Sequence, residues 1–134
     1  MSHIFKTLLY LGLLMSACNA KDLICSQGKI EQTTFGKTTS ETSNYCYNET
    51  KNQLISKDCY LTHCEKKLSN KKYKMKDLYS DIGKPGFKLC RELSGTPQII
   101  NFFVDKKSYQ LDRCLFKNEN YIDTDYLLSL FLER

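Results

Sequence analysis

The pattern of apolar and polar residues predicts three elements in the carboxy-terminal half of the chain. Residues 98–104 form an apolar, β-prone run, a polar break follows, and residues 108–116 come directly after it, an arrangement that is typical of a β-hairpin. Before it, residues 86–93 predict a short helix, because a proline lies near its start, a glycine lies beyond its end, and its apolar positions share the face that carries Cys90. Residues 123–132 predict a last helix with an acidic start and one broad apolar face.

The amino-terminal half has a different pattern, which predicts short strands and turns. Residues 22–64 are rich in threonine, serine, tyrosine and asparagine and show little helical periodicity. If Phe35-Gly36 is the centre of a hairpin, Cys25 and Cys46 lie opposite one another, and a disulfide between them is favoured. The sequence therefore predicts a small disulfide-bonded α+β domain with a β-hairpin-rich amino-terminal part and a helix–hairpin–helix carboxy-terminal part.

The first residues have the organisation of an export signal. A charged start ending at Lys6 precedes a short apolar run, and Met15-Ser16-Ala17-Cys18 follows. The run is about half of the roughly 20 residues that a membrane-spanning helix needs. The tetrapeptide resembles the lipobox of bacterial lipoproteins, which implies that residues 1–17 are a signal peptide and that Cys18 becomes a lipidated amino terminus. The alternative is ordinary cleavage after Ala20, which would release a freely secreted cysteine-rich effector or inhibitor.

The number of cysteines agrees with either cleavage site. The chain has seven cysteines, and an odd number in an exported protein needs an explanation. Setting Cys18 aside leaves six, which can pair completely in an oxidising compartment. The six cysteines predicted to form disulfides are Cys25, Cys46, Cys59, Cys64, Cys90 and Cys114.

The positive charge of the chain is concentrated in one segment. The formal net charge is +5 at pH 7, and most of the excess lies in residues 65–80, named the basic segment below. Its lysines are Lys66, Lys67, Lys71, Lys72, Lys74 and Lys76. They either contact an anionic membrane surface or form a solvated linker between residues 18–64 and an α+β unit at residues 81–134. Nucleic acid is not an expected partner, because the chain has an export signal and no accompanying recognition motif.

A second resemblance covers residues 85–123. It rests on Pro85-Gly86, Leu89-Cys90, Ser94-Gly95 and Cys114-Leu115-Phe116. These residues resemble a short bacterial lipoprotein module that is often labelled a putative hemolysin domain. The resemblance implies an exported small domain without an established lytic activity. It also implies a Cys90–Cys114 bridge, and with it a Cys59–Cys64 pair.

The sequence contains no recognisable catalytic or metal-binding signature. Cys59, His63 and Cys64 could ligate zinc, but no fourth ligand has a suggestive spacing. Asp123 and Asp125 are explained by a helix start rather than by paired-acid catalysis. Nucleophile-elbow, phosphate-loop and Cys-x-x-Cys motifs are missing from the sequence. We therefore expect no enzymatic activity, no cofactor and no metal.

These patterns together predict a lipid-anchored bacterial cell-envelope protein with a structural or binding role. The membrane is the first expected partner, through the amino-terminal lipid, and in a Gram-negative cell the location would be the outer membrane or the periplasmic face. Tyr45 and Tyr47 alternate onto one strand face, where they either bind an envelope protein or a glycan or cover a thin core.

Overall fold

The structure is a computed structural model, and it describes residues 23–134. In this part of the chain, six antiparallel strands close into one barrel, and four short α-helices and one 3₁₀ turn accompany them. The strands are β1 (Ile24–Thr34), β2 (Lys37–Asn48), β3 (Gln53–Ser56), β4 (Thr96–Val104), β5 (Lys107–Leu115) and β6 (Tyr121–Asp123). The helices are α1 (Lys57–Thr62), α2 (Met75–Leu78), α3 (Pro85–Glu92) and α4 (Thr124–Phe131), and the 3₁₀ turn is Cys64–Lys67.

The order of strands around the barrel is β1-β2-β3-β6-β5-β4. Two long hairpins, β1–β2 and β4–β5, supply most of the pairing, and their two-residue turns are Phe35-Gly36 and Asp105-Lys106. Two short seams close the barrel between distant parts of the chain. Strand β1 pairs with β4 only from Ile30↔Phe102 to Gln32↔Ile100, and β3 pairs with β6 through one residue pair.

Alternation along the strands produces two hydrophobic cores. One set of positions fills the barrel interior: Ile30, Tyr45, Tyr47, Leu54, Ile100, Phe102 and Tyr121. The intervening positions face outward, where Cys46, Ile55 and Ile122 pack under the helices. Rings meet edge-to-face in the interior, with the centroids of Tyr47 and Phe102 4.8 Å apart. The helices are therefore attached to the outer surface of the barrel and add a second, separate core.

The β1–β4 seam is completed by a side chain. The hydroxyl of Tyr45 donates to the carbonyl of Phe103 at 2.9 Å, beside the end of the short ladder. Gly28 makes this contact possible, because a Cβ at that position would lie 2.8 Å from the tyrosine oxygen and 2.9 Å from the carbonyl. Such distances are too short for a real side chain, so Gly28 is required by close approach rather than by its φ angle.

Several local predictions are confirmed. The β1–β2 turn is centred on Phe35-Gly36, and the β4–β5 hairpin lies where the β-prone run and the polar break predicted it. Helix α3 begins at Pro85 and buries the predicted face, including Cys90. Asp123 caps α4, since its Oδ1 accepts from the backbone N–H of Tyr126 at 2.7 Å.

The predicted fold class, however, is wrong. An α+β domain with a carboxy-terminal helix–hairpin–helix part was expected, but residues 23–134 form a closed six-stranded barrel with few short helices. The β4–β5 hairpin does not make a sheet of its own. It is joined to the amino-terminal hairpin through β1 and to the short strand β6, because its inward-facing residues share one core with those of β1, β2 and β3.

Candidate functional site

A buried arginine, Arg113, lies at one end of the barrel interior. We name this end, with Arg113 and Glu41, the barrel mouth. Arg113 on β5 is only 2% exposed. Its Nε donates to Oε1 of Gln98 at 2.9 Å, and its Nη1 donates to Oε1 of Glu41 at 2.8 Å. The guanidinium carbon lies 4.8 Å from the ring centroid of Tyr121, a favourable cation–π distance. Three contacts on different strands thus hold the guanidinium in one orientation.

The carboxylate that faces this arginine is open to solvent. The side chain of Glu41 is 53% exposed, whereas that of Arg113 is 3% exposed. A cleft of about 190 Å³ lies at this boundary, lined by Ile30, Gln32, Thr39, Ser40, Glu41 and Arg113. The barrel mouth therefore presents a fixed positive group and an accessible negative group side by side.

A neutral tyrosine lies beneath the guanidinium. The hydroxyl of Tyr121 is hydrogen-bonded to the hydroxyl of Ser43 at 2.5 Å. Burial raises the pKa of Tyr121 to about 12. The hydrogen bond with Ser43 and the charge of Arg113 lower this pKa, but their effects are smaller than that of burial. Tyr121 thus stays protonated at neutral pH, and Glu41 supplies the negative charge next to the arginine.

A second buried polar group, Asp123, lies at the β3–β6 seam. Its Oδ2 accepts from the backbone N–H of Leu54 at 2.6 Å, while Oδ1 accepts from Tyr126. Burial raises the pKa of Asp123 to about 6, although these two N–H groups act in the opposite direction. Asp123 links two strands to the start of α4, which assigns it a structural role.

The basic segment is exposed along its lysines. All six lysine side chains are exposed, and none of them pairs with a carboxylate within residues 23–134. Two are attached to the protein surface: Lys72 donates to the carbonyl of Leu130 at 2.5 Å and lies over the Phe131 ring, and Lys71 lies over the Tyr73 ring. Their charges remain available to an anionic surface, which leaves that prediction standing.

The six cysteines of the described region are all paired. The disulfides are Cys25–Cys46, Cys59–Cys64 and Cys90–Cys114. The prediction of three disulfides among these six residues is confirmed, whereas Cys18 and the other residues of the lipobox lie outside the described residues.

The region around the Cys59–Cys64 bridge brings three possible metal ligands together. Sulfurs of Cys59 and Cys64 and a carboxylate oxygen of Glu65 lie within 4.8 Å of one another. Both sulfurs belong to the disulfide, and zinc is bound by the thiolate form. His63 is exposed, and its Nδ1 lies 3.6 Å from Oε1 of Glu65. The cluster is therefore a disulfide-bonded turn with the polar side chains of His63 and Glu65 beside it.

Sequence reasoning missed the barrel mouth. Tyr45 and Tyr47, for which a binding face and a core role were both open, are buried in the barrel interior. Arg113, in contrast, could have been noticed in the sequence. It lies at an inward-facing position of β5, between the inward-facing Leu111 and Leu115. A charged residue on an apolar strand face needs a specific partner when it is buried.

None of the helices within residues 23–134 has the length and apolar character needed to cross a membrane. Comparison of the chain with protein-family models, curated proteins and solved structures finds no match. The barrel mouth and the basic segment are therefore interpreted from their own geometry, and the lipobox and the likeness of residues 85–123 to a lipoprotein module remain predictions.

Proposed function

We propose that this protein is a lipid-anchored bacterial cell-envelope protein that displays an oxidised barrel in a binding role. The observation that supports the proposal is the pairing of the cysteines. Three disulfides use all six cysteines of residues 23–134, so the one cysteine of the chain without a partner there is Cys18. That residue ends the lipobox-like tetrapeptide, where a thioether-linked lipid would occupy its sulfur.

The amount of apolar lipid decides whether such an anchor is stable. One acyl chain gives marginal and reversible membrane binding, whereas two signals together hold a protein at a bilayer. The lipobox of bacterial lipoproteins directs the addition of a diacylglyceryl group, which supplies two chains. The exposed basic segment would add about 1 kcal/mol per lysine close to an anionic leaflet.

Metabolic labelling with a fatty acid tests the anchor. The wild-type protein should carry the label and sediment with membranes, and Cys18→Ser should lose both properties. Ser16→Ala is a matched control, because it changes the same tetrapeptide but keeps a small residue there, and it should behave as the wild type.

The intact mass of the mature protein tests the same proposal independently. A product that begins at Cys18 and carries a diacylglyceryl group would agree with the anchor. An unlabelled, soluble wild-type product that begins at Lys21 would contradict it and would favour the freely secreted alternative.

A further inference from the structure

We propose that the barrel mouth binds one sugar ring of a glycan through a pair of adjacent hydroxyls, with Arg113 as donor and Glu41 as acceptor. This inference names the ligand class for the binding role proposed above, and it rests on that role but not on the lipid.

Arg113 keeps hydrogen-bond donors that its contacts with the protein do not use. A guanidinium has five N–H donors in a fixed plane. Nε and Nη1 of Arg113 are engaged with Gln98 and Glu41, whereas Nη2 has no hydrogen-bond partner within residues 23–134. Because Arg113 is one of the residues that line the cleft, we infer that this donor is within reach of a ligand oxygen there.

Glu41, beside Arg113, keeps a hydrogen-bond acceptor in the same way. Only Oε1 of Glu41 is hydrogen-bonded to another residue in the described part of the chain, and the side chain is about half exposed. Oε2 is thus a charged acceptor next to the Arg113 donor. One hydroxyl of a sugar can accept from the Nη2 N–H while the neighbouring hydroxyl donates to Oε2, so two adjacent hydroxyls match this pair of groups.

The opposite charges of Arg113 and Glu41, side by side, favour a neutral ligand over an ion. An anion that approached Arg113 would be repelled by the Glu41 carboxylate, and a cation that approached Glu41 would be repelled by the guanidinium. A polyhydroxylated neutral molecule meets neither penalty. The remaining polar lining supports the same class, because Gln32, Thr39 and Ser40 contribute amide and hydroxyl groups.

The dimensions limit the ligand to a small group. A cleft of about 190 Å³ is below the range of roughly 300–1,000 Å³ that encloses drug-sized ligands. It would take a single ring, and the rest of a glycan chain would extend into solvent past the exposed hairpin residues 33–42. The guanidinium needs no rearrangement to bind the ring, since Gln98 and Tyr121 already fix its orientation.

Chemical-shift titration of the full mature protein, oxidised and ¹⁵N-labelled in detergent, tests the proposal. The probes are N-acetylglucosamine and mannose up to 50 mM, with acetate and phosphate as anionic probes. At least one sugar should shift the Arg113 Nε signal and the amides of residues 39–41, and neither anion should do so at the same concentration.

Two variants and one control make the test specific. Glu41→Gln keeps the shape of the side chain and an oxygen for Nη1, and it should weaken sugar binding at least tenfold. Thr39→Val, at an exposed position, should weaken it severalfold. Glu31→Gln is the control. It removes a carboxylate on the neighbouring strand β1, where Glu31 forms a salt bridge with Lys29, and this variant should bind sugar as the wild type does.

The outcomes separate this inference from the anchor. Sugar binding that is lost in Glu41→Gln and kept in Glu31→Gln would support the site, whatever the fatty-acid label shows. The absence of any sugar-induced shift, equal binding by Glu41→Gln, or preferential binding of acetate or phosphate would each overturn it, and none of these results bears on lipidation at Cys18.

Discussion

The buried carboxyl of Asp123 should make the stability of the barrel depend on pH in an unusual direction. Burial raises the pKa of this group from 3.8 to about 6. The folded protein therefore binds this proton more tightly than the unfolded chain does. The stabilising contribution is fully present below pH 3.8, decreases as the pH rises, and is lost above about pH 6. The difference between the two pKa values corresponds to about 3 kcal/mol in the free energy of unfolding.

Asp123→Asn is the informative substitution, because it removes the titration. An asparagine oxygen can accept from Leu54 or from Tyr126 but not from both, so one buried N–H loses its partner at a cost of about 1–3 kcal/mol. That cost does not vary with pH. The stability of the wild type relative to the variant should therefore decrease by about 3 kcal/mol between pH 3.5 and pH 7.

Urea unfolding followed by circular dichroism, with the disulfides intact, measures this difference at each pH. Asp58→Asn is the matched control, because it removes an exposed carboxylate from the first turn of another helix, α1, and it should keep the wild-type pH profile. A wild type that became more stable relative to Asp123→Asn as the pH rose would contradict this prediction. Such a result would mean that the two backbone N–H groups outweigh burial.

Three further predictions concern the disulfides, the hairpin turn and the basic segment. Gly95→Ala would place a Cβ against Sγ of Cys114 and 3.0 Å from Sγ of Cys90, so the Cys90–Cys114 disulfide should not form. Alkylation and mass spectrometry should find two free thiols, and a fully oxidised product would contradict the close packing at Gly95. Phe35→Asn should raise the free energy of unfolding by up to about 1 kcal/mol, because Phe35 is fully exposed and has a φ of 51°, a conformation that asparagine tolerates better. Phe35→Ala is its control, and a Phe35→Asn protein less stable than the wild type would argue against strain at this turn. Replacing all six lysines of the basic segment by glutamine in the Cys18→Ser protein should weaken binding to anionic vesicles at low salt; unchanged co-sedimentation would show that the lysines serve only solvation.

The parts of the fold that the sequence predicted are those set by neighbouring residues. The turn at Phe35-Gly36 fixed the register that brings Cys25 opposite Cys46. Likewise, the proline and the apolar spacing before the β4–β5 hairpin predicted α3, and an acidic residue predicted the start of α4. Each signal acts over a few residues, where turn chemistry and side-chain periodicity determine the backbone.

The closure of the barrel could not be predicted in the same way. It depends on Ile30↔Phe102 and Ile55↔Ile122, pairs about 70 residues apart along the chain, and on strands of only three and four residues. Contacts at such separation have no local pattern, since many registers bury the same apolar faces. The barrel mouth was missed for the same reason, because Glu41 and Arg113 come together only when β2 and β5 belong to one barrel.

The three bridges join consecutive cysteines, and none of them encloses another, since their partners are 21, 5 and 24 residues apart in sequence. A chain that emerges from its amino terminus therefore exposes both members of each pair before the next pair appears. A simple thiol oxidant can form the native set in order of synthesis, and we expect an isomerase to be dispensable. Barrel closure must wait for the last strand, but the covalent framework can be complete by Cys114.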